Sequence, residues 1–175
     1  MSEVIVQLYP NRPFVPDLFG DYLPFKDWLQ YLSDPLLMVS VLLSLIYVSK
    51  FEPTRLPEGF FVFGLMLMIR AFLIILNPTA RPYSLTAPYG IFQEVSLHGT
   101  FPSGHTAAAA LTFLFVKNKY KNLKTVLLVL LMGQIYALLS SGGHYSTDIV
   151  GGLMIAYISH RKGTDYKKQL RLDMG

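Results

Sequence analysis

Two short polar stretches carry residue types that could do chemistry together, and each lies where a glycine-bearing turn meets a long apolar run. Residues 101–106 read FPSGHT and residues 144–148 read HYSTD. His144 and Asp148 are four positions apart, so they share a face if a helix begins near His144. The carboxylate can then hold the imidazole Nδ1–H, and Nε2 points outward as an activated nucleophile. A carboxylate in the first turn of a helix is also electrostatically favoured.

The first stretch predicts an anion-binding helix start that brings a second histidine. Ser103 and Gly104 come directly before His105 at the beginning of an apolar run. A helix N-terminus there would offer free backbone N–H groups and a hydroxyl to an anion. Taken alone, a His-x-x-x-Asp pair is more often a surface cap or a salt bridge. Together at the mouth of a helical bundle, the two stretches predict phosphoryl transfer at a bilayer surface.

The composition indicates that a membrane bundle holds these stretches. Of the 175 residues, 52% are hydrophobic and 15% are charged, with a mean hydropathy of +0.40, whereas soluble proteins average about 25% charged residues. The net charge of +4 does not indicate nucleic-acid binding, because the basic residues collect in short loops beside apolar runs. The absence of Cys excludes disulfides and thiolate metal sites. We expect a single all-α domain over residues 1–175, a polytopic transmembrane helical bundle in a lipid bilayer.

Five apolar runs are predicted to cross the membrane after a segment, residues 1–34, that lies on its surface. Residues 25–32 have the apolar spacing of a short interfacial helix. The alternative is that this stretch is the capped start of the first span. Ser33-Asp34-Pro35 matches a helix start, with a capping residue followed by Pro in the first turn. The predicted spans are 36–48, 59–76, 104–116, 123–139 and 149–159, inside a bundle of residues 35–160 followed by a basic tail, residues 161–175.

The basic residues predict the orientation of the bundle. They occupy the first loop, the connection between the third and fourth spans, and the tail: Lys50, Arg55, Lys117, Lys119, Lys121, Lys124, Arg161, Lys162, Lys167, Lys168 and Arg171. By the positive-inside rule these regions and the C-terminus are cytoplasmic. Both histidine stretches then lie on the non-cytoplasmic side. The third span is short, about 20 Å at 1.5 Å per residue, which would place His105 below the outer headgroups.

An arginine inside the second predicted span, Arg70, is a further candidate. A central Arg costs about 2.5–3.5 kcal/mol on insertion scales and should face the bundle interior or a wet cavity. The alternative is a structural Arg paired with a buried carboxylate or with backbone carbonyls. We favour a functional Arg, because few acids are found within the predicted spans.

Both stretches resemble motifs of the type 2 phosphatidic acid phosphatase superfamily, which are membrane lipid phosphatases and phosphotransferases that work through a phosphohistidine. FPSGHT is similar to the second motif of that family, HYSTD to the third, and Arg81-Pro82 to the end of the first, so that the resemblance covers roughly residues 70–152. It implies that His144 is the nucleophile, Asp148 orients it, and His105 is the general acid.

The same resemblance implies a substrate and a phosphate-binding set. Arg81, Ser103 and the Gly104 amide would bind the phosphate of a phospholipid or lipid phosphate, and Arg70 would supply a further positive charge. The scheme needs no metal and no cofactor. Two alternatives from other classes stay open: a metal-dependent hydrolase that uses His105, His144 and Asp148 as ligands, and a non-catalytic lipid-binding or transport protein.

Three positions depart from the phosphatase pattern. Ile74 stands where the family has a Lys, and Ala137 and Leu138 stand where it has Ser-Arg. A phosphomonoester carries nearly two negative charges and a phosphodiester one, so a site with fewer cations fits a diester better. The HYSTDI string and the Arg inside a span are similar to the sphingomyelin synthase branch. That branch would transfer a phospho-headgroup from a phosphodiester lipid to a lipid alcohol.

Overall fold

The computed structural model describes residues 16–77 and 101–173, and the regular elements in these ranges are helices. They are α1 (Leu18–Tyr22), α2 (Gln30–Phe51), α3 (Leu56–Leu76), α4 (Gly104–Phe115), α5 (Lys121–Ser140) and α6 (Ser146–Asp173). Single 3₁₀ turns, Asp27–Leu29 and Pro53–Arg55, lead directly into α2 and α3. The predicted all-α fold class is confirmed.

The outer surface of the bundle is suited to hydrocarbon. Within the described ranges, three helical stretches are long and apolar enough to cross a membrane: Asp27–Phe51, Pro53–Leu76 and Lys121–Ser140. Large apolar side chains point outward from them, such as Phe60 and Met68, each 72% exposed. A water-soluble domain rarely exposes a continuous apolar surface of this kind. The chain is therefore an integral membrane protein, and the count of five spans stays a prediction.

The short helix α4 forms the centre of the bundle and contacts α2, α3, α5 and α6. Its alanine run, Ala107–Ala110, is at most 6% exposed, and these small side chains let the neighbouring helices approach closely. The 12 residues of α4 correspond to about 18 Å, well below the roughly 30 Å of a bilayer core. The short third run predicted from the sequence is thus found as a short central helix.

The two histidine stretches lie at the same end of the bundle. The backbone N–H of Ser103, just before α4, donates to the carbonyl of Asp148 in the first turn of α6 at 2.9 Å. At this same end, the N–H of Lys26 donates to the carbonyl of Ser140 at 2.8 Å, which joins the entry to α2 to the end of α5.

Basic loops lie at the opposite end. Lys117 Nζ donates to both carboxylate oxygens of Glu52 at 2.7 Å, and this hydrogen bond lowers the pKa of the Glu52 carboxyl. Arg55 Nη1 donates to the carbonyl of Phe115 at 3.0 Å, at the end of α4. The separation of the histidines from the basic loops therefore appears in the fold, and the compartment that each end faces stays a prediction.

Helix α2 begins earlier than the sequence predicted. The helix start assigned to Ser33-Asp34-Pro35 is wrong, because α2 begins at Gln30 and continues through Pro35. Ser33 caps nothing here: its Oγ donates to the Gln30 carbonyl at 2.8 Å. Pro35 lies inside α2, in its second turn, where it removes one backbone hydrogen bond. The separate interfacial helix predicted over residues 25–32 is not confirmed: the 3₁₀ turn Asp27–Leu29 leads directly into α2. The alternative, that this stretch starts the first span, fits this continuity, although no side chain caps the start.

Candidate active site

A buried histidine–aspartate pair opens helix α6. His144 Nδ1 lies 3.1 Å from Asp148 Oδ2, and the same oxygen accepts the backbone N–H of Tyr145 at 3.0 Å. Asp148 thus reaches back over the start of its own helix, as the acidic residue of a capping box does. His144 is 8% exposed and Asp148 is 1% exposed. The predicted pairing is present, and it leaves Nε2 of His144 as the nitrogen not used for this contact.

The start of α4 is a capped helix N-terminus. Ser103 is the N-cap residue, and its Oγ accepts the N–H of Thr106 at 3.3 Å. The carbonyl of Ser103 accepts the N–H of Ala107 at 3.0 Å. Along the part of the chain that the structure describes, the N–H groups of Gly104 and His105 have no acceptor. The predicted anion-binding geometry is therefore available at these two amides.

Two glycines of α6 allow the two stretches to meet. A Cβ added to Gly152 would lie 2.7 Å from the backbone oxygen of Ser103. A Cβ added to Gly151 would lie 2.6 Å from the ring of Phe101. Both distances are too short for real contacts, so the close approach of α6 to the start of α4 depends on the absence of side chains here.

Gly152→Ala should therefore destabilise the protein, since the atom it would displace belongs to the backbone. Overpacking of this kind costs about 1–3 kcal/mol, and the thermal unfolding midpoint in detergent measures it. Gly64→Ala is the matched control, because nothing lies within 4 Å of a Cβ at that helical glycine. The control should be neutral or stabilising by up to about 1 kcal/mol. Equal midpoints for the two variants would show that α6 and α4 do not pack this closely.

Arg70 on α3 reaches the start of α4. Its Nε donates to the carbonyl of Pro102 at 3.1 Å, and its guanidinium lies against Gly104, where an added Cβ would be 2.8 Å from Nε. Its charge is also within electrostatic range of Asp148. Arg70 therefore faces the bundle interior, as predicted. The contact with a carbonyl also fits the structural alternative, so the geometry alone leaves the role of Arg70 as a prediction.

Sequence reasoning missed one residue of this cluster, Asp34 on α2. Asp34 Oδ1 lies 2.7 Å from Nε2 of His105, and Asp34 is 3% exposed. The Ser-Asp-Pro pattern assigns this acid to a helix cap, which gives no sign of a role in the site. Because α2 begins at Gln30, Asp34 is a carboxylate inside a membrane helix. Such a residue is by itself a candidate for function.

The cluster draws on four helices. His105 lies within electrostatic range of Asp34, His144 and Arg70, which come from α2, the start of α6, and α3. The remaining predicted phosphate ligand, Arg81, lies outside the described residues. Within residues 16–77 and 101–173, no group of three or more His, Asp or Glu side chains is placed to hold a metal ion.

Comparison with known proteins gives the family. A search of curated proteins finds no match. Among solved structures, the crystal structure of LpxE from Aquifex aeolicus matches with a TM-score of 0.60 over 94% of each chain at 20% identity, which shows a shared fold. The family model of the PAP2 superfamily matches residues 60–164, a range that contains Arg70, His105, His144 and Asp148. The chain therefore belongs to the PAP2 superfamily, a family of membrane lipid phosphatases.

Proposed function

We propose that this protein is a lipid phosphatase that works through a phosphohistidine on His144. The observation that carries the proposal is the buried contact between His144 Nδ1 and Asp148, within electrostatic range of a second histidine, His105. The contact fixes the tautomer that leaves Nε2 with its lone pair, as a nucleophile needs. Membership of the PAP2 superfamily supports the same chemistry.

The reaction has two steps that share these residues. First, Nε2 of His144 attacks phosphorus in line, so that the P–N bond forms and the ester P–O bond breaks. His105 donates a proton to the departing alcohol oxygen. Second, His105 takes a proton from water, whose oxygen attacks the phosphohistidine and breaks the P–N bond. The sum is one phosphate ester and one water converted to one alcohol and one phosphate.

Positive groups around the phosphate would stabilise its equatorial oxygens in the transition state. The N–H groups of Gly104 and His105 form one side of the site, and the Arg70 guanidinium beside Gly104 forms another. Donors that are already oriented stabilise developing charge without reorganisation, which is often the largest single catalytic effect. Ser103, as the cap that fixes the start of α4, and Arg81 complete the proposed phosphate-binding set.

An apolar cavity of about 340 Å³ supports a lipid as the substrate. Its walls are α2 and α3 and its floor is α4. The lining residues nearest to the candidate site are Leu37 and Ala108, each three positions along its helix from Asp34 and His105. Pockets of this volume and apolar lining are typical of ligand sites. We assign the cavity to an acyl chain of the substrate whose phosphate lies at His144.

Ser44→Phe tests this assignment, because Ser44 lines the cavity and a ring there would fill it. We expect kcat/KM for a long-chain lipid phosphate to fall about 10-fold to 100-fold, with hydrolysis of a water-soluble aryl phosphate unchanged. Ile46→Phe is the matched control on the same helix, since Ile46 is 52% exposed on the outer surface. Equal losses for the lipid and the soluble substrate would contradict the assignment.

A second candidate function, transfer of a phospho-headgroup to a lipid alcohol, is favoured by the shortage of cations. Ala137 and Leu138, which replace Ser-Arg of the phosphatase pattern, are each 1% exposed within α5, and Ile74 follows Arg70 by one turn of α3. A monoanionic phosphodiester needs less positive charge than a phosphomonoester.

One assay separates phosphatase from transferase. Purified protein is given a labelled phosphatidic acid or a labelled choline phospholipid, each with and without diacylglycerol or ceramide. Released inorganic phosphate and any new headgroup-bearing lipid are measured in the same tube. The proposed phosphatase releases phosphate from phosphatidic acid whether or not an acceptor is present. If the labelled headgroup is found only in a new lipid, the phosphatase proposal is wrong and the protein is a transferase.

We further propose that the site faces the non-cytoplasmic side and that the C-terminus is cytoplasmic. The basic residues at the end opposite the histidines, such as Arg55 and Lys117, support this orientation through the positive-inside rule. In sealed inside-out vesicles, a membrane-impermeant reagent should label a cysteine introduced at Lys119 and should not reach one introduced at Thr147, and both positions are exposed on the protein. The reverse pattern would overturn the orientation.

A further inference from the structure

We propose that Asp34 is a positioning residue of this reaction: it holds His105 through Nε2, so that Nδ1 is the nitrogen that gives and takes the proton. The inference rests on the proposed function, in which His105 is the acid of the first step and the base of the second. It assigns a role to a residue of α2, which lies outside the sequence range matched by the family model.

Burial is the first argument. Asp34 is 3% exposed in the second turn of a helix long and apolar enough to cross a membrane. At the centre of such a helix an acidic side chain costs about 2.5–3.5 kcal/mol. It does not cap the helix, since α2 begins at Gln30. A carboxylate kept in such a place needs a partner that compensates its desolvation. The 2.7 Å contact to His105 provides that partner across 71 positions of the chain.

The contact with Asp34 also fixes the tautomer of His105. An ionised carboxylate can accept a hydrogen bond and cannot donate one. Because Asp34 contacts Nε2, the neutral form of His105 carries its proton on that nitrogen, and Nδ1 is free to exchange a proton with the leaving group or with water. Asp148 acts on His144 through the opposite nitrogen, Nδ1. Each histidine is thus fixed by one carboxylate, which leaves Nε2 of His144 for attack and Nδ1 of His105 for proton transfer.

The charge of Asp34 also supports the protonated form that an acid catalyst must reach. Among the described residues, three charged or titratable groups act on His105: Asp34 from α2, His144 at the start of α6, and Arg70 from α3. Among these, Arg70 and a protonated His144 oppose a positive charge on His105, whereas Asp34 stabilises it. Removing the carboxylate should therefore weaken proton donation most where the leaving alcohol is most basic.

The test compares Asp34→Asn on two substrates. The variant should hydrolyse an alkyl lipid phosphate about 10²-fold to 10⁴-fold more slowly, the usual range for general acid–base catalysis. With p-nitrophenyl phosphate, whose leaving group needs little protonation, the first step should be far less affected. The second step still needs His105 as base, so phosphoenzyme should accumulate in the variant on this substrate.

Controls keep a structural effect separate from a positioning effect. Ser33→Ala alters the neighbouring side chain, which is 1% exposed, and should leave both activities near the wild-type values. Asp34→Glu keeps the carboxylate and should recover part of the lipid phosphatase activity. Equal losses of Asp34→Asn on both substrates without phosphoenzyme accumulation, in folded protein, would overturn the proposal, and so would unchanged activity.

A readout without turnover separates this inference from the proposed function. The ¹⁵N chemical shifts of the His105 imidazole should show a proton on Nε2 in the wild-type protein and a mixture of tautomers in Asp34→Asn. A wild-type His105 protonated on Nδ1 alone would overturn the role of Asp34, whatever the activity. Wild-type protein that hydrolyses neither substrate would instead reject the proposed phosphatase, and the tautomer measurement would still decide the Asp34–His105 contact.

Discussion

We expect His144→Asn to abolish turnover of every lipid phosphate while the protein still inserts and folds. The loss should be about 10⁴-fold or more, the scale seen when a catalytic nucleophile or its partner is removed. Asn has no ring nitrogen that can attack phosphorus. The start of α6 should survive, because Asp148 still accepts the backbone N–H of Tyr145. Initial rates on phosphatidic acid, with the thermal unfolding midpoint measured on the same preparation, check the prediction.

His160→Asn is the matched control for this variant. His160 also lies on α6, but its ring is nearly perpendicular to the Phe115 ring, with 6.2 Å between ring centroids. Phe115 lies at the end of α4 that is far from the proposed site. The replacement of His160 should leave the rate near the wild-type value. A folded His144→Asn protein with wild-type activity would end the phosphohistidine proposal.

Arg70→Met should lower kcat by about 10²-fold to 10³-fold, the usual cost of removing one group that stabilises charge in a transition state. Met keeps much of the apolar length of the side chain and removes the guanidinium that lies beside Gly104. Gly104→Ala should lower kcat in the same direction without removing any charge, because its Cβ would displace the guanidinium. Steady-state rates on the same lipid phosphate measure both variants.

Arg55→Met provides the control for Arg70. Both guanidiniums donate to a backbone carbonyl beside α4, Arg70 to Pro102 at one end and Arg55 to Phe115 at the other. If Arg70 is only structural, the two variants should lose similar stability and neither should lose activity selectively. The proposed role requires a selective loss of kcat in Arg70→Met at comparable thermal stability.

The sequence predicted the parts of the site that depend on local spacing. His144 and Asp148 could be paired in advance because a helix brings positions i and i+4 together. Gly104 and His105 could be assigned to a helix start because Ser103 is a strong N-cap. The short third run and the alternation of basic loops with histidine stretches also depend on local pattern, and both appear in the fold.

The parts that failed depend on contacts between distant segments. Asp34 and His105 are 71 positions apart, and no periodicity links them. The Ser-Asp-Pro pattern predicts that Asp34 lies before the helix, so it gives no reason to expect the contact between Asp34 and His105. In the structure, packing overrides that pattern: Ser33 and Asp34 are buried at 1% and 3% exposure, and α2 extends back to Gln30. The close approach of Gly152 to Ser103 likewise needed the folded backbone.

Trapping the covalent intermediate tests whether the reaction passes through a phosphohistidine on His144. Protein incubated with ³²P-labelled phosphatidic acid is quenched in alkali, and the labelled residue is identified by peptide mapping. We predict an acid-labile, alkali-stable phosphoprotein that is labelled on His144. The label should be absent in His144→Asn. In His105→Asn the phosphoprotein should accumulate from p-nitrophenyl [³²P]phosphate. Label on another residue, or full turnover with no phosphohistidine even when His105 is replaced, would contradict the proposal.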